Sequence, residues 1–209
     1  MNHDAATVMV VDDDAGVRNA MRSLLKSVGL NSLLFGSAQE FLDAYQPSQR
    51  GCLLLDIRMP GMSGLELQQK LNLRGAVIPV IFMTGHGDIP MAVEAMQHGA
   101  FDFLQKPFRD QDLLDRIQRA IAKDTELRKS LGEHARIRAH LDSLTPRERE
   151  VLDLLTQGKQ NKVIGLELGV SPRTIEIHRA RVMEKMNAQS VAELVRMMLD
   201  LNHVAPVGH

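Results

Sequence analysis

The strongest constraint in this 209-residue chain is an alternation between two kinds of apolar pattern. Val8-Met9-Val10-Val11 is a short apolar run that ends in three aspartates. Val17, Ala20, Met21, Leu24, Leu25 and Val28 then recur at i, i+3, i+4, i+7, i+8 and i+11, one helical stripe that Gly29 can close. Leu33-Leu34-Phe35 is the next expected strand, and Ser37 with Glu40 starts a helix as a capping box. The run from Cys52 to Leu55 ends at Asp56, and a helix covers Leu65 to Leu73. Val77 to Met83 reads as a buried strand ending at Thr84, and Ile89 to Gln97 as a helix with Gly99 beyond it. Phe101 to Leu104 is a fifth strand, followed by Lys106-Pro107 and a helix that Asp110 can cap, carrying Leu113, Leu114, Ile117, Ala120 and Ile121. Strand-then-helix five times, with nearly uninterrupted apolar strands, predicts an α/β, doubly wound (βα)5 parallel sheet covered on both faces. In such a sheet the functional groups collect beyond the carboxyl ends of the strands.

After residue 122 the pattern changes. Residues 123–142 read as a linker without proline, and Leu127 and Leu131 let the preceding helix run on toward Gly132. The plain alternative is a solvated polar tether. From residue 143 onward everything is helical. Thr145-Pro146-Arg147-Glu148 is a capping box with proline in the first turn of a helix running to Gln157. Asn161 to Leu168 follows and stops at Gly169. A third helix starts at Ser171-Pro172 and runs to about Met186, and a fourth starts at Ser190 with Glu193. The second and third are separated by a glycine turn, a helix-turn-helix arrangement. The expected organisation is therefore an α/β domain over 1–122, a linker over 123–142 and an all-α four-helix domain over 143–209.

Composition excludes several classes. One cysteine cannot form an internal disulfide. No apolar stretch approaches the ~20 residues of a membrane helix, so no membrane partner is expected. Met1-Asn2-His3-Asp4 lacks the basic start and apolar run of a signal peptide, which makes the cytoplasm the default setting. The net charge of −1 does not by itself point to nucleic acid.

The strand ends supply Asp12, Asp13, Asp56, Thr84 and Lys106 to one sheet edge. Taken singly, an aspartate at a strand end is a turn residue or helix cap, and Asp14 is read as such a cap. Together they form a pocket. Unit charges ~4 Å apart repel by ~4 kcal/mol at an effective dielectric of 20, so three carboxylates need a countercharge. A small hard divalent ion with oxygen ligands meets that need, and Mg²⁺ characteristically adds phosphate and water to one or two carboxylates. Lys106 adds a fixed positive charge and Thr84 a hydroxyl donor. The grouping suits phosphoryl transfer onto a carboxylate, with an aspartate as nucleophile and cations neutralising the transferred oxygens. Asp56 is the expected nucleophile because it opens into the loop Met59-Pro60-Gly61-Met62-Ser63-Gly64. His86, between two glycines, is read as a surface-loop residue, and Cys52 as a core residue.

These segments resemble the receiver domain of two-component response regulators: Val10-Val11-Asp12-Asp13-Asp14, Leu55-Asp56-Ile57-Arg58-Met59-Pro60-Gly61-Met62-Ser63-Gly64, Thr84-Gly85-His86-Gly87-Asp88-Ile89-Pro90 and Lys106-Pro107-Phe108. The resemblance covers roughly residues 5–122 and implies a flavodoxin-like fold. It implies that Asp56 accepts phosphate from a sensor histidine kinase. Mg²⁺ would be bound by Asp13, by Asp12 through water, by Asp56 and by the carbonyl of Arg58. Thr84, Lys106 and Phe103 match the switch threonine, the phosphoryl-contacting lysine and the switch aromatic, and a cis peptide is implied before Pro107. The Asp12-x-Asp14 spacing also permits a haloacid-dehalogenase-like phosphatase with Asp12 as nucleophile, in which Asp56 has no natural role.

In the third C-terminal helix Arg173, Arg179, Arg181 and Lys185 outnumber Glu176 and Glu184. Ile175, Val182 and Met186 can face a core. Thr174, Ile177, His178 and Arg181 share another side, with Glu176, Arg179 and Ala180 adjoining. Lys159, Asn161 and Lys162 open the second helix, whose N-terminus favours anions. The plain alternative is a small helical dimerisation bundle with solvated charges, and a second is an interaction module whose C-terminal helices bind a protein or RNA. Leu144 to Leu152, Asn161-Lys162 and Ser171 to His178 resemble the LuxR/NarL-type helix-turn-helix domain over roughly 143–202, and the combination resembles the FixJ-type branch of response regulators. By that resemblance Glu176, Ile177 and Ala180 face bases, while Lys162, Arg173 and Arg179 lie near the backbone of double-stranded DNA. The whole then implies a non-enzymatic transcription regulator that dimerises when phosphorylated and works with RNA polymerase. The fourth helix, with Val191, Leu194, Val195, Met198 and Leu199, would serve dimer contact on DNA.

Overall fold

The computed structural model describes residues 6–85 and 89–203. His86, Gly87, Asp88 and the first five residues therefore lie outside the described part. The chain divides into two compact units, Met1–Arg128 and Lys129–His209.

The first unit is an α/β sandwich. Its strands β1 (Thr7–Val11), β2 (Asn31–Phe35), β3 (Gly51–Asp56), β4 (Val80–Thr84) and β5 (Asp102–Gln105) pair in parallel in the order β2-β1-β3-β4-β5. Alternation along each central strand divides the core in two. Met9, Val11, Leu53, Leu55 and Phe82 face one side, with Phe41 and Leu67 of helices α2 (Ala38–Ala44) and α3 (Gly64–Leu73). Val8, Val10, Leu54, Ile81 and Met83 face the other, with Leu25 of α1 (Ala15–Ser27) and Leu113 and Ile117 of α5 (Asp110–Asp142). Helix α4 (Ile89–Gln97) contributes Ala95 to the first side. Cys52 is fully buried, as read, and burial pushes its thiol up to about 12.

The local signals acted much as expected. Asp14 caps α1 by accepting from the amides of Gly16 and Val17. Ser63 and Glu66 form a complete capping box on α3, a start signal the sequence reading had missed. Lys106-Pro107 is cis. Four details differ. Ser37 accepts from the Glu40 amide, but the Glu40 carboxylate takes the amide of Gly36, so the box is only half formed. Strand β4 starts at Val80 rather than Val77: proline has no amide to give the ladder, although the Pro79 carbonyl accepts from Leu53 at 2.9 Å. Asp110 lies inside the first turn of α5, not before it. That helix passes through Gly132 and continues to Asp142. Ile137 and Leu141 pack into the core of the second, helical unit, which outweighs the ~1 kcal/mol cost of a helical glycine.

The second unit gathers α6 (Pro146–Thr156), α7 (Asn161–Leu168), α8 (Pro172–Lys185) and α9 (Val191–His203) around Val151, Leu152, Leu155, Ile164, Ile175, Val182, Met186 and Leu194. Gly169 ends α7 in the left-handed conformation (φ 67°), and Ser171 caps α8. Glu148 closes the capping box with Thr145 and pairs with Lys185 at 2.7 Å. With only 3 % of that glutamate exposed, the Lys185 hydrogen bond and the Thr145 amide hold its carboxyl at about 2.

Candidate functional site

The topology itself makes the crevice. β2 lies on one side of β1 and β3 on the other, so the chain reverses its winding between β1 and β3. Val11 pairs with Leu55, which places Asp12 and Asp56 next to each other at the carboxyl edge. One oxygen each from Asp12, Asp13 and Asp56 lies within 4.8 Å of the others. Asp12 is buried, Asp56 is half-buried and Asp13 is exposed.

Lys106 arrives from β5. Its amide donates to the Thr84 carbonyl at 2.7 Å, and its Nζ reaches Asp12 Oδ2 and Asp56 Oδ1 at 2.9 Å each. Burial lowers the Lys106 pKa, but the hydrogen bonds to Asp12 and Asp56 outweigh it and the net shift is upward. Asp56 moves upward too, first through burial, with Asp12 and Asp13 adding repulsion and Lys106 opposing. Lys106 balances one of three carboxylates. The two negative charges left over match a divalent cation, and a donor set made only of oxygens suits a small hard one.

Asp12 is held from two more directions. Its Oδ1 accepts from the Asp14 amide at 2.9 Å, and its carbonyl accepts from Arg18 Nη1 at 2.7 Å. Arg18 is a residue the sequence reading missed; an arginine on a helix surface carries no local signal of its target. The Asp56 turn depends on Gly64, whose amide donates to Ile57 at 2.9 Å. A Cβ on Gly64 would lie 2.2 Å from the Asp56 carbonyl oxygen.

Two residues of the set turn their side chains elsewhere. Thr84 is 3 % exposed, and its hydroxyl donates to the Leu104 carbonyl at 3.5 Å. Phe103, on edge strand β5, turns 40 % of its surface to solvent. Arg58 lies two residues beyond Asp56 in the same turn. Asp14, the second aspartate of the phosphatase alternative, has its Oδ1 on the α1 amides.

In the second unit, Lys162, Arg173, Glu176, Ile177, Ala180 and Arg181 are exposed on α7 and α8. Thr174 is partly buried and shares a hydrogen bond with Ser171 at 2.8 Å; Arg179 is partly buried, with Nη1 3.5 Å from Asn161 Oδ1. His178 departs from the expectation of an outward side. It is partly buried, and its Nδ1 lies out of solvent with no hydrogen-bond partner among the described residues. It shares a side of α8 with Ile175, three residues before it, and Val182, four residues after it, which are fully buried, as read.

Comparison with known proteins agrees with this architecture. Residues 8–118 match the response regulator receiver domain, and residues 142–198 match the bacterial regulatory proteins of the LuxR family. The transcriptional regulatory protein FixJ of Azorhizobium caulinodans is 48 % identical over 203 residues, covering 97 % of this chain and 96 % of that protein. The solved response regulator StyR superposes with a TM-score of 0.85 at 45 % identity, covering 93 % of this chain and 98 % of that one. Full-length FixJ from B. japonicum gives a TM-score of 0.58 at 43 % identity, over 96 % and 98 % of the two chains. Among the described residues no helix is long and apolar enough to cross a membrane. The chain belongs to the transcriptional response regulators of the FixJ type, in which a receiver domain is joined to a LuxR-family helix-turn-helix domain.

Proposed function

We propose that Asp56 is the phosphoacceptor and that its phosphorylation by a sensor histidine kinase drives dimerisation and sequence-specific DNA binding. The observation that carries this reading is the Lys106 ammonium spanning Asp12 and Asp56 at 2.9 Å each. It leaves Asp56 Oδ2 outside the lysine contact and puts a cation where phosphoryl charge would develop. We assign 1–122 to the receiver, 123–142 to a connecting helix and 143–209 to the DNA-binding domain, in a cytoplasmic regulator that is not itself an enzyme.

Asp12, Asp13, Asp56 and the Arg58 carbonyl would hold Mg²⁺, which when bound supplies charge neutralisation to the phosphoryl oxygens. An Asp56 carboxylate oxygen attacks the phosphorus of a phosphohistidine. The P–O bond forms as the P–N bond breaks, and the imidazole leaves with the electron pair and takes up a proton. Lys106 then turns from the carboxylates to a phosphoryl oxygen. The Thr84 hydroxyl leaves the Leu104 carbonyl for another, and Phe103 moves into the space it vacates. Shifting the population from 1:99 to 99:1 takes ~5.5 kcal/mol of differential stabilisation.

On DNA, α8 enters the major groove. Glu176 accepts from cytosine N4, and Ile177 and Ala180 make apolar or shape contacts. Lys162, Arg173, Thr174, Arg179 and Arg181 serve the backbone. Paired half-sites ~10 bp apart suit a dimer, and RNA polymerase is the downstream partner. The test is Asp56→Asn: a small phosphodonor should raise the duplex-DNA affinity of the wild type and leave the variant unchanged. If the variant responds as well, Asp56 is not the acceptor. Weak binding to duplex DNA without a steep salt dependence favours the protein or RNA interaction module instead.

A further inference from the structure

Residues 119–141 lie between the two matched family ranges and carry the polar composition of a tether. The structure shows something more specific at their start. Asp124, on α5, is 1 % exposed. A carboxylate so placed is strongly disfavoured unless paired and hydrogen-bonded. Its Oδ1 accepts from Arg128 Nε at 2.7 Å, one helical turn on, and its Oδ2 accepts from the Gly51 amide at 2.9 Å. The same guanidinium continues outward, donating through Nη1 to the Pro47 carbonyl at 2.8 Å and through Nη2 to the Gln49 carbonyl at 2.5 Å. A single planar fork therefore satisfies a buried acid and two carbonyls of the α2–β3 connection, a geometry an ammonium cannot reproduce.

Gly51 makes the contact consequential. It is the first residue of β3, and Asp56 is the last. It sits at φ 130°, and a Cβ there would lie 1.9 Å from the Thr7 carbonyl oxygen, so the backbone at the base of β1 and β3 is packed without slack. The strand that presents Asp56 at its far end is thus hydrogen-bonded at its near end to the connecting helix.

We propose that Asp124 and Arg128 form a clasp that fixes the root of the connecting helix to the base of β3, and that this clasp couples phosphorylation of Asp56 to the C-terminal domain. The coupling rests on the phosphoacceptor reading above; the clasp does not. Residues 121–128 of α5 then move with β3 as one body. Asp124 and Arg128 act as positioning residues, far from the reacting atoms.

The test uses the full-length chain with Arg128→Ala. By residue-resolved hydrogen exchange, the Gly51 amide and amides 121–131 should exchange at least tenfold faster, while those of Val8–Val11 and Leu53–Leu55 stay unchanged. Unchanged exchange at Gly51 overturns the clasp. With acetyl phosphate as donor, phosphate incorporation should stay within twofold of wild type. The ratio of phosphorylated to unphosphorylated affinity for a duplex, selected by the wild-type chain from a random pool, should fall at least fivefold. An undiminished ratio overturns the coupling. Arg128→Lys should rescue neither readout. Should Arg128→Ala fail to fold, Asp124→Asn, which removes the charge and replaces one of the two accepting oxygens by an NH2 donor so that Arg128 and Gly51 cannot both be satisfied, carries the same expectations. A wild-type chain without any phosphorylation-dependent gain refutes the regulatory reading and the coupling with it, whereas the exchange arm judges the clasp by itself.

Discussion

Gly64→Ala probes how narrowly the Asp56 turn is built. The added methyl would sit 2.2 Å from the Asp56 carbonyl oxygen and 3.1 Å from the Ile57 Cα, both backbone atoms. No side-chain rotation relieves that clash. To reach ordinary contact, α3 or the Asp56 peptide must retreat by about 1 Å, and overpacking of this kind typically costs 1–3 kcal/mol. The turn is the softer partner, because α3 is anchored by Leu67 and Leu71 in the core. A displacement of about 1 Å at a reacting group can reduce a rate ~100-fold, equivalent to ~2.7 kcal/mol in the barrier. The assay is the rate of phosphate incorporation from acetyl phosphate, alongside a denaturant titration of the same samples. We expect a ~100-fold slower rate with a stability loss of about 1–3 kcal/mol. A rate within threefold of wild type would refute the claim that this close approach positions Asp56. Gly61 is the control. It has a positive φ of 78° but nothing within 4 Å of a Cβ. Gly61→Asn, a residue that tolerates this conformation, should leave the rate nearly unchanged.

Other outcomes follow from the second unit. Glu148→Gln removes the charge that pairs with Lys185 while keeping an acceptor for the Thr145 amide, and should cost about 1 kcal/mol near neutral pH. Because folding lowers the Glu148 pKa from 4.5 to about 2, its contribution is complete above 4.5 and disappears as pH falls from there toward 2. The stability difference between variant and wild type, followed by urea titration, should shrink over that window; a difference independent of pH would show that the charge is irrelevant. Arg173→Ala, on the exposed face of α8, should weaken duplex binding across all sequences and reduce the slope of log affinity against log salt by about 1. A selective loss on one sequence would move Arg173 from backbone to base recognition.

Patterns set by neighbouring residues were legible without coordinates. The apolar alternation names five buried runs, and the Thr145 and Ser171 caps place helix starts because capping is a bond between residues two or three apart. The acidic residues at strand ends were legible too: once strands are parallel, their ends share an edge. Distances across the fold were not. That Lys106 spans two carboxylates, that the Thr84 hydroxyl rests on the Leu104 carbonyl, and that Arg18 holds the Asp12 carbonyl all depend on rotamers chosen by packing. The sequence suggests a helix stopping near Gly132, since glycine is a poor helix former; Ile137 and Leu141 carry it further by finding a core that only the tertiary fold creates. Asp124 and Arg128 show the same division most clearly. Four residues apart, they read as one more solvated pair, and their burial beneath the α2–β3 connection is decided by a contact spanning more than seventy residues of chain. Residue order determined the elements and the chemistry at their ends, because those rest on short-range bonding and periodicity. Folding decided which polar groups lost their water, and with it which charges had to find each other.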